Sequence, residues 1–239
     1  MTRALVTGGS GTIGGAIARA LAAAGHHVYV HALGQADRAA EIAAGIMAEG
    51  GSAEVVRFDI TDAAETAQTL AQLLEAGPIQ ILVNNAGIHD DAVMPGMRQE
   101  QWARVIDVSL NGFFNVTQPL LLPMLRTRWG RIVNISSVAA VMGNRGQANY
   151  AAAKAGLHGA TRSLALELAS RGVTVNTVAP GIIASPATET IFPKETIAKL
   201  VPMQRAGQPE EVADLVAFLA SDRAAYISGQ LISINGGMA

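Results

Sequence analysis

The chain opens on a short apolar run, Arg3-Ala-Leu-Val-Thr7, breaks into glycines, and resumes with apolar residues at Ile13, Ile17 and Leu21 before Gly25. A spacing of three to four marks one face of a helix, and a short Val/Ile run bounded by turn residues marks a buried strand. Strand, turn and helix therefore follow one another, and the unit recurs. Residues 27–32, 54–58 and 79–83 read as strands, followed by helices to about 49, to about 74, and from about 99 to 126. Beyond them come a strand at 130–135, a helix at 150–170, a strand at 173–178, a helix at 209–220 and a last strand at 230–234. The helices are rich in Ala and the strands in Val and Ile, so propensity agrees with period. Such alternation predicts right-handed crossovers and an α/β fold, a doubly wound parallel sheet with ligands at the carboxyl ends of its strands.

One stretch breaks the rhythm. Residues 181–207 carry Pro186, Pro193 and Pro202 between short helical patterns and are too long for a plain connection, so they read as a lid over the site.

Composition narrows the class. A length of 239 residues suits a single domain over 1–239 with a large core. Hydrophobic residues at 50% against 15% charged fit a sheet buried on both faces and exclude disorder. A net charge of -2 offers no basic field for nucleic acid. The absence of cysteine excludes disulfides and thiolate metal sites. No apolar stretch reaches the ~18 residues of a membrane span, and no signal peptide precedes the first strand, which predicts a soluble, cytoplasmic protein.

Two constellations carry chemistry. Thr7-Gly-Gly-Ser-Gly-Thr-Ile-Gly14 lies between the first strand and its helix, where backbone N–H groups and a helix N-terminus face a pyrophosphate. Its Gly9, Gly11 and Gly14 satisfy Gly-x-Gly-x-x-Gly in the structural context that motif requires. Tyr150 and Lys154, four apart, stack a phenol and an ammonium on one helical face. A free phenol, with a pKa of ~10, is a poor acid-base group at neutral pH, and the lysine cation is expected to pull that value down. His89, Asp90 and Asp91 read as a solvated loop rather than a metal site.

With these motifs, the chain resembles the short-chain dehydrogenase/reductase family over essentially its whole length. The resemblance rests on the glycine turn, Asp59-Ile60, Asn84-Asn-Ala-Gly87, Ser137 thirteen residues before Tyr150, Lys154, Pro180-Gly181 and Asn235-Gly-Gly. Residues 142–156 are similar to the β-ketoacyl-[acyl-carrier-protein] reductases of fatty-acid and polyketide or polyene synthesis. The resemblance implies a Rossmann-like fold and reduction of a carrier-bound β-ketoacyl thioester. Ser137 would polarise the carbonyl, Tyr150 deliver the proton, and Lys154 tune Tyr150 and bind the nicotinamide ribose. Gly8, Ser10, Gly11, Thr12, Ile13 and Gly14 would hold the pyrophosphate side of the cofactor; Asp59, Ile60, Asn85, Ala86 and Gly87 the adenosine side; and Ile183 and Ser185 the nicotinamide.

Ala32 ends the second strand where NAD-preferring relatives carry an acid, which favours NADPH over NADH, with Ser10 and Arg38 as candidate contacts to the 2′-phosphate. Arg128 and Arg171, just before the fifth and sixth strands, match places where carrier-protein reductases dock an acidic helix, and Trp102, Phe113 and Phe114 match the subunit packing of a homotetramer. Two departures stand out. Gly11 and Thr12 give the turn the spacing of the longer, epimerase-like branch, and Ser109 replaces the family's Asn, with Asn111 two residues on pointing elsewhere on a helix. Alternative readings are an alcohol dehydrogenase acting on free or CoA-linked ketones, and a non-catalytic dinucleotide-binding subunit.

Overall fold

The computed structural model describes all 239 residues apart from the side chains of residues 187, 189 and 191. Its strands are β1 (Arg3–Val6), β2 (His27–Ala32), β3 (Ser52–Arg57), β4 (Ile81–Asn84), β5 (Gly130–Ile135), β6 (Val173–Pro180) and β7 (Leu231–Ile234). They form one all-parallel sheet of order β3-β2-β1-β4-β5-β6-β7. Every residue of β4, β5 and β6 is buried, the signature of a sheet covered on both faces.

The helices are α1 (Thr12–Ala23), α2 (Ala36–Ala48), α3 (Ala63–Glu75), α4 (Gln99–Ile106), α5 (Gly112–Thr127), α6 (Ala139–Met142), α7 (Ala148–Leu168), α8 (Pro186–Ile191), α9 (Lys194–Leu200) and α10 (Pro209–Leu219). Ile17, Leu21, Ile42, Ile46, Val212 and Val216 of α1, α2 and α10 pack on Val6, Val30 and Val83. On the other face Leu70, Val116, Leu120, Met124 and Leu168 of α3, α5 and α7 pack on Leu5, Leu82 and Ile132. Leu5 and Val6, like Leu82 and Val83, go to opposite cores because successive strand residues point to opposite faces. The strand order reverses between β1 and β4, and that reversal opens a crevice at their carboxyl ends.

A buried polar rung lies just below that crevice. Asn84, Asn134 and Thr177 are in register across three strands. Asn84 donates to Asn134 at 2.9 Å and to Thr117 at 3.1 Å, Asn134 donates to Thr161 at 2.8 Å, and Thr161 and Thr177 share a bond of 2.7 Å. Only the Asn84 side-chain oxygen of this rung is left without a partner among the described residues, and the remaining bonds fix the register between helices and strands.

Two details depart from the sequence pattern, and a third sharpens it. β3 begins at Ser52 rather than at 54, because pairing with β2 already starts at His27↔Ser52. The long helix expected over 99–126 is interrupted by a π-helical turn, Asp107–Asn111, which turns Ser109 inward and leaves Asn111 exposed. The 181–207 segment folds into α8 and α9, and its ends are tied: Gly207 donates to the Ile182 carbonyl at 2.9 Å and Ala184 to the Gly207 carbonyl at 2.8 Å.

Candidate active site

The glycine turn packs too closely to admit side chains. A Cβ on Gly14 would lie 2.2 Å from the Gly8 carbonyl oxygen, and one on Gly9 would meet Val30 at 2.8 Å. Gly8 adopts φ +61, the left-handed region that favours glycine. Gly11, by contrast, is extended at φ -71 and is not required there by conformation. It serves as N-cap of α1 with no side chain closing the helix, so the first-turn N–H groups and the helix dipole stay open to an anion. The Asn85 side chain bridges the turn to β4, donating to the Thr7 carbonyl at 2.9 Å and the Gly8 carbonyl at 3.1 Å. These features fit a dinucleotide pyrophosphate.

Along the same crevice, β5 and α7 bring Ser137, Tyr150 and Lys154 together. Asn149 sets the start of α7: its amide donates to the carbonyls of Asp90 at 3.0 Å and Gln101 at 3.1 Å, and its oxygen accepts the Tyr150 N–H at 2.8 Å. Ser136 ties the end of β5 to the Lys154 carbonyl at 3.1 Å. The Ser137 hydroxyl oxygen accepts the Ala139 N–H at 3.1 Å, so its own proton is free to be aimed.

Burial pushes the Tyr150 phenol above its usual pKa, a hydrogen bond with Ser137 opposes that rise, and the charge of Asp91 adds to it. Lys154, buried to 2% exposure, donates to the Ile135 carbonyl at 2.9 Å, and desolvation lowers its pKa to about 8. Its ammonium stands 5.9 Å from the Tyr150 ring centre. The expectation that Lys154 pulls the Tyr150 pKa down is therefore corrected: burial outweighs any such pull, and the ammonium is turned to the backbone. Gly87 leaves room for Lys154, since a Cβ there would be 2.9 Å from Nζ and 3.5 Å from the Ser109 hydroxyl. The Ser109 Oγ is buried and has no hydrogen-bond partner among the described residues.

Comparison with known proteins decides the family. A family profile described as "Enoyl-(Acyl carrier protein) reductase" matches residues 9–239. A 3-oxoacyl-[acyl-carrier-protein] reductase of Synechocystis is 49% identical over 237 residues, covering 98% of this chain and 96% of the relative. Enzymes of the same name from Aggregatibacter actinomycetemcomitans and Staphylococcus aureus are 44% and 45% identical, each over 98% of this chain and 98% and 97% of the relative. The chain belongs to the short-chain dehydrogenase/reductase family. It is an oxidoreductase of a family that uses a nicotinamide dinucleotide.

The family's cleft encloses about 760 Å³ and is lined by Gly8, Ser10, Gly11, Thr12, Ile13, Gly14, Asn85, Ala86, Gly87, Ser137, Tyr150, Lys154, Ile183 and Ser185. Ser185 also caps α8, accepting the Thr188 N–H at 3.0 Å. Asp59, Ile60 and Arg38 are not among the lining residues. The Asp59 carboxylate closes its own turn on Thr61, Ile60 is buried against Gly112, and Arg38 is exposed on α2.

Arg128 and Arg171 lie away from this cleft. They sit before β5 and β6, at the amino edge of a parallel sheet whose cleft lies at the carboxyl edge, and so they do not flank this chain's own site.

His89 and Phe192, which sequence reasoning had not placed in the site, line the same cleft. The His89 ring lies 4.1 Å from the Tyr150 ring at an interplanar angle of 32°, and Gln147 reaches both it and Asp91. Asp90 accepts from Gln101 at 2.7 Å and pairs with Arg104 at 2.6 Å. The loop after β4 is thus held onto α4 and α7, and only its distance along the chain from Tyr150 hid it.

Proposed function

We propose that the protein reduces the β-keto group of an acyl thioester, carried on an acyl carrier protein, to the β-hydroxy group, with NADPH as reductant. The observation that carries this reading is that Ser137 and Tyr150 line one cleft within hydrogen-bond reach of each other, so that one carbonyl oxygen bound there would accept from both. Bound there, the nicotinamide supplies the hydride. Ser137, anchored by the Ala139 N–H, presents its proton to the ketone oxygen. Tyr150, kept protonated by burial, delivers its proton as the alkoxide forms, the direction that reduction demands. Lys154, its ammonium 5.9 Å from the Tyr150 ring centre and donating to the Ile135 carbonyl, would hold the ribose hydroxyls of the bound nicotinamide cofactor. Two donors on one oxygen suit a ketone better than the enoyl double bond named in the family description, and the relatives at 43–49% identity are named for ketone reduction.

Support for NADPH comes from Ala32, which pairs with Arg57 across β2 and β3, with the Arg57 guanidinium donating to the Leu33 carbonyl at 3.0 Å. The strand ends there present a cation and no acid to a 2′-phosphate. A homotetramer is supported by Phe114, Leu122 and Leu166, which are exposed at 62%, 66% and 85% on α5 and α7. In such an assembly, Arg128 and Arg171 would serve the cleft of a neighbouring subunit. Fatty-acid synthesis is the setting the relatives' names support.

The test is cofactor oxidation followed optically, with acetoacetyl and crotonyl groups each presented on carrier protein, on CoA and as a small thioester. Fast turnover of carrier-bound acetoacetyl with NADPH is expected. Preference for free or CoA-linked ketones would make the enzyme a general alcohol dehydrogenase, and turnover of crotonyl alone would overturn the ketone reading. Tyr150→Phe is expected to lose about 10²–10⁴-fold in kcat while cofactor affinity stays within a few-fold; turnover like the wild type would remove Tyr150 from the reaction.

A further inference from the structure

His31, at the end of β2, is 3% exposed and makes a hydrogen bond at each ring nitrogen. Nε2 lies 2.9 Å from the Phe58 carbonyl oxygen, which can only accept, so Nε2 carries the proton. Nδ1 is then a bare lone pair, and it accepts the Gly8 N–H at 3.1 Å. The His31 main-chain carbonyl accepts the next amide, that of Gly9, at 2.7 Å. One residue therefore holds both peptide N–H groups that flank the left-handed Gly8, while Asn85 and the Gly11 N–H, at 3.0 Å, hold the carbonyl oxygens of Thr7 and Gly8 from the other side.

We propose that His31 is a positioning residue of the cofactor site: its unprotonated Nδ1 keeps the Gly8 peptide, and with it the glycine turn, in the form that binds the dinucleotide, so cofactor affinity falls when the ring takes up a second proton. A proton on Nδ1 would set two donors head to head in a site closed to water, and the turn must then rotate or the ring must leave. The inference rests on the dinucleotide reading of the glycine turn. The charged groups acting on the ring are Asp59, after β3, and Glu65, on α3, both of which favour the imidazolium; Phe58 covers one side, with ring centres 4.3 Å apart. Burial is the larger effect and holds the ring below its usual pKa, which keeps the turn formed at neutral pH.

Binding of NADPH, followed by fluorescence between pH 5 and 8, tests the coupling in the wild type, His31→Asn and His31→Leu. Asn retains an acceptor toward Gly8 and cannot titrate; Leu has no acceptor. Below the His31 pKa the wild type is expected to lose affinity by up to about tenfold per pH unit, because only the neutral fraction binds. In His31→Asn that component is expected to vanish, leaving only the titration of the cofactor's own phosphate. His31→Leu, shown folded by circular dichroism, is expected to bind about tenfold or more weakly at every pH. An unchanged pH dependence in the Asn variant, or wild-type affinity in a folded Leu variant, overturns the proposal. The Gly8 amide resonance gives a readout that needs no cofactor: it is expected to move with the His31 titration, and a fixed resonance also overturns the proposal. Should neither NADPH nor NADH bind at any pH while that resonance does move, the dinucleotide reading fails and the His31–Gly8 coupling stands.

Discussion

The two edges of the parallel sheet bury charge in opposite ways. At the amino edge the Arg131 guanidinium, 3% exposed, donates to the carbonyls of Gly130 at 2.8 Å, Gly172 at 3.3 Å and Ser221 at 3.3 Å, meets Asp222 at 3.2 Å, and lies 4.4 Å over the Trp129 ring. Arg3 is likewise enclosed, donating to the carbonyls of Gly77 and Leu73 and to the Tyr29 hydroxyl. At the carboxyl edge the buried Lys154 has one carbonyl for its ammonium, Tyr150 is a desolvated phenol, and the Ser109 Oγ has no hydrogen-bond partner among the described residues. A buried polar group fully supplied with partners stabilises the fold, and one left short of them holds free energy that a ligand can release. Apart from the Thr174 hydroxyl, which is buried without a partner beside Arg131, the amino edge is accordingly built for stability and the carboxyl edge for chemistry.

The largest expected effect lies in the pH dependence of stability. Lys154 has a folded pKa of about 8, below its unfolded value, so the unfolded chain holds the extra proton between those two values and stability rises with pH there. From pH 8 to 10 the wild type should gain about 2 kcal/mol in urea unfolding, less about 0.4 kcal/mol lost by pH 10 as Tyr150 ionises in the unfolded chain while the buried phenol does not. Lys154→Met should flatten that rise and lose turnover. A rise that persists in the variant would assign the titration to another group and remove the contrast between the edges.

Next in size is Arg131→Met, which keeps the stem volume and removes every donor. It is expected to lower stability by about 2 kcal/mol, because three carbonyls lose a partner, while the exposed Asp222 contributes little. At a temperature where the variant stays folded, kcat and the pH 8 to 10 rise should both be retained. A loss of turnover in a variant of unchanged stability would place Arg131 in the function of the other edge.

Much of this division was legible in the sequence. Strand and helix alternation follows from period, and the glycine turn, Ser137, Tyr150 and Lys154 follow from where each falls relative to a strand end. The position of Arg128 and Arg171 was implicit as well, since residues that precede strands of a parallel sheet gather at the edge away from the ligand. What sequence could not supply was anything decided by direction rather than by order. The π-helical turn hides in five residues whose pattern suits an α-helix equally well, and Ser109 is the buried residue within it. The stacking of His89 on Tyr150 needs two segments sixty-one positions apart to meet. The sign of the Tyr150 shift is set by the burial of the phenol, which only the packing around α7 decides.

Ser109→Ala tests the contrast most finely. At the amino edge, deleting a satisfied polar group should destabilise; here the hydroxyl is buried without a partner, so its removal relieves a desolvated group and should be neutral or stabilising by up to about 1 kcal/mol, a rise of about 2–4 °C in Tm for a chain of this size. Because that hydroxyl lies with Lys154 around Gly87, the same variant should lose about tenfold in kcat with little change in KM. Stability and turnover would then move in opposite directions on the loss of one oxygen atom. A Tm that falls while kcat is kept would make Ser109 a packing residue whose hydroxyl finds a partner in solution, and the free energy held at the carboxyl edge would have to be sought in Lys154 and Tyr150 alone.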